Sequence, residues 1–377
     1  MKFSSLFAAI TLLVTPAFAQ NNADLEAKIE AMAAELESLQ LQDVMPAVGE
    51  SKFGLGPAAS KVYSKEQGLS IGGYGEGRYR ADSANDFDWY RHIMYFGYKF
   101  NDNWVLNTEV ELEHVEEVFV EFAYLDYLGL TENMNLRVGL MLNPMGLINE
   151  YHEPTTYLAA NRPQTESVII PSTWRENGIG VFGESGGFDY KLYYMNGMDG
   201  DGWSDTNDSL RGGRQKGAKA KAEDWAMVAS ANYVDTPGVR IGASMYSGDS
   251  GQGGDFGDMS TDIFEVHAEY KSGPWWVRAM MADAEVSDRT DDPGTVDTVE
   301  GDMSLTGTYY ELGYNLLEGR DSALYPFVRV EEIEKTDGST SDYTTFGVHY
   351  RPIDQICFKL DKCDETDTTS FVIGYVF

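Results

Sequence analysis

From Leu69 to the last residue, apolar and polar side chains alternate in segments of strand length, and clusters of turn formers separate the segments. Trp104, Leu106, Val110 and Leu112 stand opposite Asn107, Glu109, Glu111 and Glu113; Leu136, Val138, Leu140 and Leu142 oppose Arg137, Gly139 and Met141. Phe264, Val266, Ala268 and Tyr270 oppose Glu265, His267, Glu269 and Lys271. Successive side chains of a strand point to opposite faces, so each segment has one apolar face and one face that carries charge. The chain ends in the same way, with Phe371, Ile373, Tyr375 and Phe377 on one face and Ser370 and Gly374 on the other. Recurrence of this dyad along most of the chain predicts an all-β fold, a transmembrane antiparallel β-barrel with lipid outside and a polar lumen.

Turn lengths set the number of strands. Tight turns are expected at Asn101-Asp102-Asn103, Ser185-Gly186-Gly187, Asp235-Thr236-Pro237-Gly238, Ser272-Gly273-Pro274 and Arg351-Pro352-Ile353-Asp354. Longer polar connections are expected from Ala81 to Trp89, Pro144 to Trp174, Gly197 to Asp224, Gly248 to Thr261 and Val286 to Thr306. Placing the short turns on the periplasmic side and the long ones outside gives about sixteen strands, an even number that returns Phe377 to the periplasmic rim. A barrel of that size leaves an aqueous channel.

The residues ahead of the barrel divide into three parts. Lys2, the apolar stretch Leu6 to Val14 and Ala17-Phe18-Ala19 read as a cleaved signal peptide, residues 1–19. In residues 20–45, Leu25, Ile29, Met32, Leu36 and Leu39 recur at spacings of four and three, the seam of a short periplasmic coiled-coil helix that joins protomers or folds onto its own barrel. Residues 46–67 form a linker, and the barrel occupies 68–377. No later apolar run is long enough for a transmembrane helix, so the exported chain is expected in the bacterial outer membrane, facing lipid and lipopolysaccharide.

Charge and composition narrow the function. The 377 residues carry a formal charge of -33, which excludes nucleic acid as a partner because phosphate backbones require basic faces. Aromatic residues make up 13% of the chain, the excess expected of two interfacial belts. Cys357 and Cys363 would lie about 20 Å apart if their segment is one strand, beyond disulfide reach. The five histidines are scattered, and no nucleophile, base and orienting group recur in a recognisable set, so no enzymatic activity, cofactor or metal site is expected. His152 reads as a hydrogen-bonded loop residue and His267 as a polar wall residue.

The most distinctive text lies in the connection from Pro144 to Trp174: Asn143-Pro144-Met145-Gly146-Leu147-Ile148-Asn149-Glu150-Tyr151-His152-Glu153-Pro154, then Asn161-Arg162-Pro163 and Ile170-Pro171-Ser172-Thr173-Trp174-Arg175-Glu176. A connection of this length is a candidate to fold into the barrel and narrow it, with Asn149, Glu150, His152, Glu153, Arg162 and Arg175 at the constriction. At these residues the chain resembles the phosphate-selective porin O and P family of bacterial outer-membrane channels. The resemblance extends to the N-terminal seam, Phe53-Gly54-Leu55-Gly56-Pro57, the stretch Leu210 to Gly217, Tyr325-Pro326-Phe327-Val328-Arg329 and Tyr350-Arg351-Pro352. It implies a trimer of channels, each constricted by its third external loop, with anion preference set by lumen arginines and lysines.

Parity gives a different charge balance. Arg78, Arg91, Arg137, Arg278 and Arg329 point inward, but so do Glu109, Glu111, Glu113, Glu265 and Glu269, with Lys99, Lys191, Lys359, Glu76, Glu121, Glu311 and Glu331 adding to both signs. This count predicts near-neutral or weakly cation-preferring permeation. A separate basic run, Arg211, Arg214, Lys216, Lys219 and Lys221, is expected in an external loop, where it would collect anions at the mouth or pair with acidic loops and lipopolysaccharide phosphates. The reading is therefore a porin for passive diffusion of small hydrophilic solutes or ions. Its alternatives are a phosphate- or anion-selective porin and a structural protein that anchors the envelope.

Overall fold

A computed structural model describes residues 27–33, 48–82, 85–200, 203, 209–254, 258–287 and 302–377. Two units are distinct, Met1–Met45 and Pro46–Phe377. In the first, residues 27–33 are helical and expose Ile29 and Met32, while Leu25, Leu36, Leu39 and residues 1–19, expected as a signal peptide, lie outside the described residues.

The second unit is a closed barrel of sixteen antiparallel strands. In chain order they are β1 (Gly68–Ala81), β2 (Asp86–Lys99), β3 (Trp104–Glu113), β4 (Glu117–Tyr127), β5 (Asn135–Leu142), β6 (Arg175–Ser185), β7 (Phe188–Asn196) and β8 (Trp225–Tyr233). They continue as β9 (Val239–Asp249), β10 (Ser260–Ser272), β11 (Trp275–Ser287), β12 (Met303–Tyr314), β13 (Ala323–Glu334), β14 (Thr340–Ile353), β15 (Ile356–Cys363) and β16 (Thr368–Val376). Each strand pairs with its chain neighbours, and β16 closes on β1 with Tyr74 opposite Val376. The Gly73 and Phe377 main chains add two further bonds, of 3.0 and 2.9 Å. Closure leaves no unpaired edge, which a sheet in hydrocarbon requires.

Alternation along the strands gives the wall its two faces. Val266, Phe264, Val348 and Leu360 face outward, while Glu265, His267, His349 and Lys359 are buried within. At the short-turn end, outward rings meet in pairs: Tyr98 with Phe100 at 4.9 Å, Trp104 with Tyr127 at 5.0 Å and Trp275 with Tyr314 at 4.8 Å. Rings in such a girdle sit at the depth of lipid headgroups.

Several of the expected boundaries differ, and the connections expected from Gly248 to Thr261 and from Val286 to Thr306 lose residues at both ends to β9, β10, β11 and β12. The connection after β1 is short, because Asp86 to Trp89 already belong to β2, with Asp86 paired to Arg80 across the strands. Arg351-Pro352-Ile353 are strand rather than turn: β14 runs to Ile353 past a register shift between Tyr350 and Ile353. Proline is tolerated at such an irregularity because a ladder donor is not needed there. Cys357 and Cys363, seven positions along β15 by inclusive numbering, are both free thiols.

Residues 48–67, expected as a linker, pack inside the barrel. Leu55, Ala58, Ala59 and Val62 are buried, and Lys61–Ser64 form one 3₁₀ turn. Val62 lies where a side chain at Gly97 of β2 would stand, so the glycine makes room for the segment. The Ala58 and Ala59 amides donate to Glu153 Oε1, which joins this segment to the loop between β5 and β6.

Candidate functional site: a constriction in the lumen

Most inward charges of the wall are used in pairing. Arg91 Nε meets Glu76 Oε1 at 2.8 Å, Arg137 Nε meets Asp126 Oδ1 at 2.8 Å, and Lys191 Nζ meets Glu150 Oε2 at 2.6 Å. Arg329 lies between Glu331 and Glu311, Arg278 binds Glu269, and His267 Nδ1 faces Glu265. Buried ions need such partners, because desolvating an unpaired charge costs several kcal/mol, on the order of a whole domain's margin. The near balance of inward charges therefore reflects pairing within the wall and says little about the field in the open lumen.

The segment 143–174 enters the barrel and reaches across it. Its main chain accepts hydrogen bonds from Arg91 at His152, Arg329 at Asn161 and Lys359 at Ala159, and its Ala160 amide donates to Asp361. Tyr309 donates to Glu166, and Glu166 in turn receives the Ile148 amide. Gly146 adopts a φ of +74° with Glu166 and Ile170 against it, so the turn admits no side chain. Asn149 ties the loop to itself through the carbonyls of Asn143 and Trp174 and through the Trp174 amide. Burial pushes the Glu150 carboxyl up, with Lys191 opposing, and pushes Glu153 up to about 7, with the Ala59 and Ala58 amides opposing.

Open space remains beside this loop, in two adjoining cavities. One of about 190 Å³ is lined by Glu76, Arg78, Tyr90, Tyr157, Arg162 and Arg211 among others. The second, about 50 Å³, is lined by the carboxylates Glu111, Glu113 and Glu121 and by the cations Arg162, Arg175, Arg211, Arg214 and Lys216. Arg175 Nη1 bonds Glu121 Oε1 at 2.9 Å. Arg211 and Arg214 instead donate to main-chain carbonyls, Arg211 to Ser172 and Arg214 to Pro171 and Thr173. Burial, then the neighbouring Arg211 and Arg175, pushes the Arg214 guanidinium down to about 9; burial and Arg162 lower Arg211, and burial and Arg214 lower Lys216.

Of the residues expected along the pore or at its constriction, Arg162, Arg175, Glu111 and Glu113 line this smaller cavity together, and Arg78 lines the adjoining one. Arg91, Arg137, Glu265, Glu269, Arg278 and Arg329 face inward but are committed to wall pairs. Asn149, Glu150 and Glu153 are buried supports of the loop, and His152 and Glu109 form a separate buried contact. Arg211, Arg214 and Lys216 were visible only as a basic run in an external connection. Their return to the lumen depends on how the segment between β7 and β8 folds: Gln215 and Lys216 donate their amides to Glu176 at the start of β6. Tyr90, Phe119 and Thr173 complete the lining, and Tyr90 and Phe119 carry no distinguishing signal in the sequence.

No family model matches the chain. An uncharacterised protein of Aquifex aeolicus is 36% identical over 362 residues, covering 87% of this chain and 82% of the relative. The chain belongs to that protein's family. Among solved structures, OmpF of Salmonella typhi in complex with daunomycin superposes with a TM-score of 0.56 at 16% identity, over 83% of this chain and 98% of that one. In-vitro folded OmpT of Vibrio cholerae in its trimer form gives 0.52 at 13%, over 82% and 99%. An anion-selective porin from Comamonas acidovorans gives 0.52 at 11%, over 83% and 100%. At these identities the likeness is one of fold: the chain has the barrel fold of bacterial outer-membrane porins.

Proposed function

We propose that this protein is an outer-membrane porin through which small hydrophilic solutes or ions diffuse passively, with their passage narrowed by the segment 143–174. The observation that carries the reading is a charged cavity beside the segment 143–174, lined by Glu111 and Glu113 together with Arg162, Arg211, Arg214 and Lys216, inside a closed barrel. Opposed charges across a narrow, low-dielectric passage create a transverse field that selects by size and dipole. Three channels per assembly, lipid around the wall and lipopolysaccharide at the outer rim complete the proposal; the trimer form of OmpT and the heptad seam support it.

A second reading, anion preference, is favoured by one feature. Arg162, Arg211, Arg214 and Lys216 have no carboxylate within salt-bridge distance among the described residues, whereas most wall charges are paired. A field focused at the narrowest point outweighs balanced charges elsewhere, so permeation of phosphate-like or other small anions is proposed over the neutrality that counting suggests.

Single-channel recording and reversal potentials in a potassium chloride gradient test both readings. Stable conductance steps with anion-preferring reversal are expected, reduced toward neutrality in Arg162→Gln/Arg211→Gln. Absence of conductance in folded protein would favour an envelope anchor, and a reversal potential unchanged by the double substitution would remove the cationic cluster from selectivity. Block by phosphate would narrow the anion class.

A further inference from the structure

His152 is held by a bond that determines its tautomer. Its Nδ1 lies 2.8 Å from the Asn149 carbonyl oxygen, which can only accept, so Nδ1 carries the proton. In the neutral ring this leaves the Nε2 lone pair directed at two carboxylates, Glu109 Oε1 at 3.2 Å and Glu121 Oε2 at 3.4 Å. Three electron-rich atoms facing one another repel unless a cation lies among them. All three side chains are buried, His152 and Glu121 at 2% exposure and Glu109 at 0%.

Two further observations point to that cation. Glu109 Oε2 and Glu121 Oε2 are buried without a hydrogen-bond partner, although carboxylate oxygens at such depth are normally satisfied. Thr173 and Arg175 donate to the other Glu121 oxygen, Oε1, and Tyr74 donates to Glu109 Oε1, the oxygen that also faces His152 Nε2, so Glu121 Oε2 is the facing oxygen that no donor satisfies. The spacing also matches a metal edge, since two ligands about 2.1 Å from a zinc-sized ion at a tetrahedral angle stand about 3.4 Å apart. A main-chain carbonyl receiving the other ring N–H is the usual support of a metal-bound histidine.

We propose that Glu109, Glu121 and His152 bind one divalent transition-metal ion of the zinc class, which fastens the segment 143–174 to the β3–β4 wall. Imidazole selects this class over calcium or magnesium, and two carboxylates neutralise its charge. Glu121 also lines the constriction cavity, which gives the ion a path, although the arginines there slow its entry and favour loading during folding. The site lies outside the permeation proposal and stands or falls separately from it.

The full chain, folded in detergent with zinc and then dialysed, is expected to retain about one zinc per chain, as is His114→Gln, which removes an exposed histidine elsewhere. Glu109→Gln, Glu121→Gln and His152→Gln should bind about tenfold more weakly or worse, with folding of each checked by heat-modifiable mobility. Cobalt substituted for zinc should give visible absorption bands that His152→Gln abolishes. Retention below about a tenth of an equivalent, or equal retention in His152→Gln, overturns the proposal; in that outcome a protonated His152 imidazole is the cation between the carboxylates.

Discussion

Arg91 Nη2 donates to the His152 carbonyl at 2.8 Å, across 61 residues of sequence, while its Nε holds Glu76 at 2.8 Å. One guanidinium thus connects the β1–β2 wall to the segment 143–174, with Nη1 donating to the Tyr74 hydroxyl as well. Arg91→Met would leave Glu76 buried without its partner, a loss of about 3 to 5 kcal/mol. Urea titration should show it, and conductance should rise as the loop loosens. Adding Glu76→Gln should recover part of the stability, because no buried charge is then stranded. Equal stability of Arg91→Met and the native protein would mean the pair contributes nothing net.

Insertion depends on which face each side chain occupies. Val266 and Val348 lie near the middle of β10 and β14 and face outward, 42% and 38% exposed. Val266→Arg and Val348→Arg should each cost about 2 to 4 kcal/mol in the bilayer. Glu111→Gln, inside the barrel, should insert normally. Folded fractions on a heat-modifiable gel check this, and equal insertion of all three would reverse the assignment of inside and outside.

Selectivity should vary with pH in a stated direction. Burial, then the neighbouring Arg214, Arg175 and Arg211 guanidiniums, lowers Lys216, so it loses its proton at lower pH than an isolated lysine. Between that lowered value and the ordinary lysine range the unfolded chain binds more protons than the folded one, so packing of this segment becomes more stable as pH rises through that window. Anion preference, which needs the charges, should fall over the same rise. Reversal potentials at about pH 7 and about pH 10 make the comparison, and a flat profile would show that the cluster keeps its charge.

Assembly is tested by truncation. Deleting Gln20 to Gln42 removes the seam that includes Ile29 and Met32 but none of the barrel. The truncated chain should fold and show a smaller oligomer by native mass measurement. An unchanged oligomer would assign association to the barrel wall alone.

By itself the sequence determined the barrel: strand existence, an even count, and the alternation of lipid-facing and lumen-facing residues. These follow from a period-two pattern and from turn chemistry, both local properties of the chain. Strand ends were less legible, as Asp86 to Trp89 and Pro352 show, because cross-strand pairing rather than composition fixes where a ladder stops. Only tertiary structure decided the site. Whether an inward arginine is paired depends on register with its neighbour, as for Glu269 opposite Arg278, and that register is set when the barrel closes. Residues 48–67 entered the lumen because Leu55, Ala58 and Val62 find apolar partners there, a demand invisible in a polar-looking linker. Arg162, Arg175 and Arg211 meet from two loops and a strand, and Glu109, Glu121 and His152 from two strands and a loop. Such meetings are made by long-range packing, in which spacing along the chain carries no information about distance across the lumen.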